Sequence, residues 1–131
     1  MALPITALFA GLLALWLVFL TFAVVGFRRD KRVSLGSGGD ELGERLIRGH
    51  GNAVETIPMF LILLGVAEAS GSPAAFLLPV AMVFAVGRLM HGVHFLKIRE
   101  GFRLRFWGML LTITATILLA LDMLRHGMTS W

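Results

Sequence analysis

The sequence contains no cysteine, so a disulfide scaffold, a Cys-ligated zinc site and a cysteine nucleophile are all excluded. Charge is scarce as well. Only 15% of the 131 residues are Asp, Glu, Lys or Arg, against about 25% in an ordinary soluble domain. An apolar share of 57% and a mean hydropathy of +0.84 exclude an ordinary soluble fold, a disordered chain and a coiled coil. What is left is one short domain, residues 1–131, most of which belongs in lipid.

The charges that are present fall in a pattern. Twelve Lys and Arg against eight Asp and Glu give a net charge of +4. Ten of the twelve basic residues lie in two segments, 28–48 and 97–105, between apolar stretches. That is where charges set membrane orientation, and it argues against a nucleic-acid partner. The positive-inside rule then places both basic loops in the cytoplasm and both termini outside.

The apolar stretches read as four helices. Residues 4–27 carry no charge for 24 positions, enough to cross a hydrocarbon core of about 30 Å at about 1.5 Å per residue. The positive cluster (Arg28, Arg29, Lys31, Arg32) follows this run instead of preceding it, so it reads as a membrane helix and not as a cleaved signal. Asp40 suits the N-cap of a second helix over about 41–69, with Glu41 and Glu44 on its positive dipole end. Gly71 reads as the stop of that helix, and Ser72 and Pro73 as the N-cap and first residue of a third, over about 73–96. A fourth runs over about 102–124 after a turn at Gly101. The expected architecture is an all-α, integral membrane four-helix bundle.

The second helix breaks the apolar pattern. Its uncharged run, 57–67, is eleven residues, too short to span a bilayer alone, so it must carry part of 44–56 with it. Arg45, Arg48, Asn52 and Glu55 follow at intervals of three and four and share one face. Such a stripe is expensive near lipid unless it faces protein, water or a ligand. Two readings stand side by side: a solvated extension in which Arg48 and Glu55 pair, and a polar pocket at the cytoplasmic end of the bundle.

In the third helix, Arg88, His91 and Phe95 also share a face. Arg88 lies deep in an apolar segment and needs a counter-charge, with Glu55 the first candidate; a structural pair and a ligand contact both satisfy it. His91 reads either as a pocket residue or as an interhelical hydrogen-bonding histidine. His94 points away from this face and is given no role. The fourth helix opens on Arg99, Glu100, Gly101, Phe102, Arg103, Leu104 and Arg105, followed by Trp107. This reads either as a basic loop anchored by an interfacial tryptophan or as a segment that aims one arginine into the pocket. Glu68 and Asp122 fall near the outer helix ends, with Asp122 placed to meet Arg125. The four histidines lack a convergent carboxylate or cysteine set, so no metal site is expected.

These residues resemble the membrane-associated proteins in eicosanoid and glutathione metabolism, the MAPEG family. Glu44-Arg45-x-x-Arg48-x-His50-x-Asn52-x-x-Glu55 is similar to that family's second-helix signature, Gly87-Arg88-x-x-His91 to its third-helix pattern, and four helices in this length to its plan. The resemblance covers nearly the whole chain and looks like a bacterial inner-membrane type. It implies a homotrimer binding glutathione as cosubstrate between subunits, near the cytoplasmic side. By position, Arg28 or Arg29, Arg45, Arg48, Asn52, Glu55, Arg88 and His91 would hold the tripeptide. Arg105, or else Arg103, would stabilise its thiolate, and the Arg105-x-x-Gly108 spacing favours Arg105. Three departures stand out: Phe95 where many members have tyrosine, Gly51 where some synthases have arginine, and Phe106 where a serine occurs.

The implied activity is a glutathione-dependent transferase or peroxidase acting on hydrophobic electrophiles that enter from the membrane. The rival reading is a non-catalytic lipid-binding or scaffolding protein on the same fold. A transporter ranks last, because the outer halves of helices one, three and four offer no polar path.

Overall fold

The described residues form four helices, α1 (Pro4–Lys31), α2 (Glu41–Ala69), α3 (Ala74–Leu96) and α4 (Phe102–Thr129). The structure is a computed structural model and describes residues 2–97 and 101–129. Arg99 and Glu100 of the second basic loop lie outside the described residues. At 23 to 29 residues, the helices measure about 35–44 Å, and all four are long and apolar enough to cross a membrane.

Local chemistry sets the helix ends. α1 begins on Pro4, with no side-chain cap from Leu3. Its free amides are met from α2 instead: Glu68 accepts from the Ile5 N–H at 2.9 Å, the Thr6 N–H at 2.8 Å and the Thr6 hydroxyl at 2.7 Å. A residue expected only to sit at the interface is therefore the N-terminal cap of a neighbouring helix. α1 runs four residues past the expected end at Phe27, because Arg28, Arg29 and Lys31 are favourable in the last turn of a helix. It stops at Arg32, which adopts the left-handed conformation at φ 55°.

α2 starts and ends where the sequence indicates. The Asp40 carboxylate accepts from the N–H groups of Leu42 and Gly43, at 2.9 and 3.2 Å. Gly71, at φ +85°, turns the chain after Ala69 in a conformation that favours glycine. The next helix departs from expectation. α3 begins at Ala74, after Pro73, and Ser72 does not cap it. The Ser72 hydroxyl turns to α4, where it donates to Asp122 and lies 3.0 Å from His126 Nε2. Arg125 Nη2 donates to the other Asp122 oxygen at 2.9 Å, the pairing expected from the spacing. With these contacts α4 runs to Thr129 and not to 124.

The core lies where the four helices meet. Phe60 of α2 stacks on Phe84 of α3 with ring centroids 3.6 Å apart, surrounded by Phe9, Leu13, Leu64, Leu77, Ala115 and Leu119. Large apolar side chains also point outward, Leu15 at 70% and Phe22 at 68% exposure among them, as suits a surface solvated by lipid. The most extensive helix contact is between α3 and α4, which cross at Gly87 and Gly108. The C-terminal ends of α1 and α3 and the N-terminal ends of α2 and α4 come together, so both basic segments share one end of the bundle.

Candidate functional site

The Asp40 cap fixes the first turn of α2 and so the direction of the polar face that follows it. Lys31 reinforces the cap with its ammonium 2.9 Å from the second Asp40 oxygen. That ammonium, together with the Gly43 and Leu42 amides, holds the Asp40 carboxyl below its ordinary value. A depressed acid stabilises the fold above the unfolded-state pKa of about 3.9 and loses that contribution as pH falls through the lower folded value. Amide exchange at Leu42 and Gly43 is therefore expected to stay slow through ordinary carboxylate titration and to rise only in stronger acid. In Asp40→Ala it should be fast at every pH. An acid midpoint at or above the ordinary carboxylate value would contradict the cap.

Further along α2, Arg45 turns towards α3. Its Nη2 donates to the carbonyls of His94, at 2.5 Å, and Lys97, at 2.6 Å, closing the C-terminal end of that helix. Deeper in the bundle, Arg88 of α3 is 1% exposed. Its Nη1 donates to Asn52 Oδ1 and Thr56 Oγ1, both at 2.9 Å, and its Nη2 faces His91 Nδ1 at 2.7 Å. Because a guanidinium only donates, His91 Nδ1 must accept here and its proton must sit on Nε2. No ion pair joins Arg88 to Glu55 among the described residues, which corrects the expected counter-charge. Three neutral acceptors take that place. Since Asn52 gives its oxygen to Arg88, its NH₂ is left as the group it can offer elsewhere.

Above this network opens a cavity of about 810 Å³, within the range of sites that hold small molecules. Arg45, Arg48, Asn52 and Glu55 line it from α2, Phe95 and His94 from α3, Arg105 from α4, and Gly36 and Ser37 from the α1–α2 loop. The four-residue face read from the sequence thus forms one wall. Other expected residues stand elsewhere. Arg88 and His91, 1% and 2% exposed, lie behind the wall and act on it through Asn52. Arg28 does not line the cavity; its Nε donates to the Gly36 carbonyl at 3.2 Å and holds the loop that does. Arg103 and Arg105 are both exposed, but Arg105 is in the lining and Arg103 is not.

Two contributors went unread in the sequence. Thr56 closes the stretch 44–56 and was given no role, yet its hydroxyl accepts from Arg88; its spacing of four from Asn52 was the available signal. His94 was set aside by its angle on the wheel, but α3 presents it beside Phe95 where the helix ends.

Comparison with known proteins bears on this arrangement. The model of the MAPEG family matches residues 6–124, which include every residue lining the cavity. The chain belongs to the MAPEG family. It is 39% identical over 119 residues to the inner membrane protein YecN of Escherichia coli K12, a match covering 89% of this chain and 88% of that protein. The same protein of Escherichia coli O6:H1 strain CFT073 matches to the same extent. In this MAPEG protein α2 brings charged and amide groups to the lining, and α3 adds Phe95, a ring without a hydroxyl.

Proposed function

We propose that the protein is a trimeric inner-membrane enzyme that binds glutathione at the basic end of the bundle and uses its thiol against hydrophobic electrophiles or peroxides. The observation that carries this reading is the lining of the 810 Å³ cavity, in which Arg45, Arg48 and Arg105 face Glu55 and Asn52. Glutathione has two carboxylates, an ammonium, two amides and a thiol. Guanidinium groups suit the carboxylates, Glu55 suits the ammonium, and the NH₂ of Asn52, turned by Arg88, suits an amide carbonyl. Membership of the MAPEG family supports the glutathione reading, and the relative named as an inner membrane protein supports the location.

Chemistry needs the thiolate. Moving a thiol pKa from about 8.5 to about 6.5 takes about 2.7 kcal/mol, within reach of one guanidinium shielded from water. Arg105 has that role once bound ligand covers it, since it stands exposed at the edge of the cavity; it also borders an apolar groove lined by Phe102, Phe106, Met109, Leu110 and Ile113. In conjugation the thiolate forms a sulfur–carbon bond while the leaving group departs with the bonding pair, and the thiol proton goes to solvent.

The test is glutathione titration of the purified protein in detergent, followed by the ultraviolet difference band of the thiolate and by conjugation of an activated aryl halide. Both signals are expected in the wild type. Arg105→Ala should lose the band and about 10²-fold in rate. Absence of the band together with no rise in melting temperature at saturating glutathione would sink the proposal and favour a lipid-binding or scaffolding role.

A further inference from the structure

Arg105 makes no hydrogen bond or ion pair among the described residues, yet it borders the cavity. What its guanidinium meets is a ring: Cζ lies 5.8 Å from the centroid of Phe95, over its face. The Cζ of Arg45 lies over the same ring, also at 5.8 Å. Phe95 itself is 6% exposed and held on several sides. Its Cβ fills the space above Gly49, where a Cβ on that glycine would come within 2.7 Å. The His91 ring lies 5.0 Å away, and the His94 ring meets it edge-on at 4.9 Å. The ring is therefore a fixed surface, and its negative face is the feature that attracts cations.

We propose that Phe95 is a positioning residue, whose ring holds the guanidinium groups of Arg45 and Arg105 at the cavity ready for an anionic ligand group. This rests on the reading of the cavity as a glutathione site. Arg45 has a second anchor in the carbonyls of α3, so the ring matters most for Arg105. An unanchored arginine has several free torsions, and a ligand that had to order it would bind more weakly. A leucine of similar bulk fills the space but offers no such face.

The experiment uses the full chain in detergent and four forms of it: wild type, Phe95→Leu, Phe95→Tyr, and the protein with a trifluorinated phenylalanine at position 95, which keeps the shape and weakens the negative face. The first readout needs no ligand. The side-chain N–H resonance of Arg105, assigned by its loss in Arg105→Lys, is expected to be displaced by the ring current in the wild type. It should return to the free-arginine position in Phe95→Leu, and Phe95→Tyr should restore the displacement. The second readout is glutathione affinity, expected to fall about three- to tenfold in Phe95→Leu and in the fluorinated protein. The fluorinated protein should melt with the wild type, since its packing is unchanged. An undisplaced Arg105 resonance in the wild type, or wild-type affinity in the fluorinated protein, overturns the proposal. A displaced resonance in a protein that does not bind glutathione leaves the positioning role standing and removes the glutathione reading instead.

Discussion

Replacing Arg88 with alanine is expected to destabilise the bundle by about 3 kcal/mol and to weaken ligand binding at a cavity the residue does not touch. Two effects oppose each other. Removing a guanidinium from a membrane helix relieves a cost of about 2.5–3.5 kcal/mol on insertion scales. Against that, the change strands Asn52 Oδ1, the Thr56 hydroxyl and His91 Nδ1 inside the bundle. Each stranded group costs about 1–3 kcal/mol. The alanine also leaves a void, because the native side chain is 1% exposed, and truncation of a large buried side chain costs about 2–5 kcal/mol. The losses outweigh the relief. The binding effect follows from Asn52, whose amide is free to rotate once its oxygen loses its donor. Arg88→Lys keeps the charge and three donors, but a single ammonium replaces the fork whose two nitrogens span Asn52, Thr56 and His91, so this variant should fall between. Unfolding midpoints in detergent measure the first effect, and glutathione affinity at a temperature where both proteins are folded measures the second. Wild-type stability in Arg88→Ala would show that the network does not hold α2 to α3.

The same residue shows how far the sequence can be read. Its position made a partner necessary, and spacing placed Asn52, Glu55 and His91 on suitable faces. A helical wheel gives direction around one axis, however, not the depth or rotation of a neighbouring helix. Around α2, Thr56 lies about 40° to one side of Asn52 and Glu55 about 60° to the other, and the rotation of α3 decides that Asn52 and Thr56 meet Arg88 while Glu55 lines the cavity. The limits of α2 were legible because Asp40 and Gly71 act locally. The ends of α1 and α4 were not, because charge marks where a helix leaves the apolar layer and not where its hydrogen bonding stops. Ser72 has the form of a cap, and only the arrival of Asp122 from 50 residues away diverts it. Glu68 is the converse, an unremarkable acid until α1 folds against it. The polar face of α2 was visible in full, since one helix carries it.

The crossing of α3 and α4 yields the other large effect. A Cβ added at Gly108 would lie 2.6 Å from the His91 backbone nitrogen and 2.8 Å from the Gly87 carbonyl oxygen. Both are main-chain atoms, so no side chain can swing aside; the helices themselves must separate. Small residues that let backbones approach closely are a main source of helix association in membranes. Gly108→Ala is therefore expected to cost about 3 kcal/mol, at the upper end for an overpacked site. The displacement also reaches the cavity, since Gly108 lies one turn beyond Arg105 on α4 and packs against His91, the neighbour of Arg88. Gly11→Ala is the control. A Cβ there meets nothing within 4 Å, and alanine is favoured over glycine in a helix by about 0.8–1.0 kcal/mol. The two glycine-to-alanine changes should thus move the unfolding midpoint in opposite directions. If Gly108→Ala is as stable as Gly11→Ala, the backbones of α3 and α4 do not approach as closely as the crossing requires.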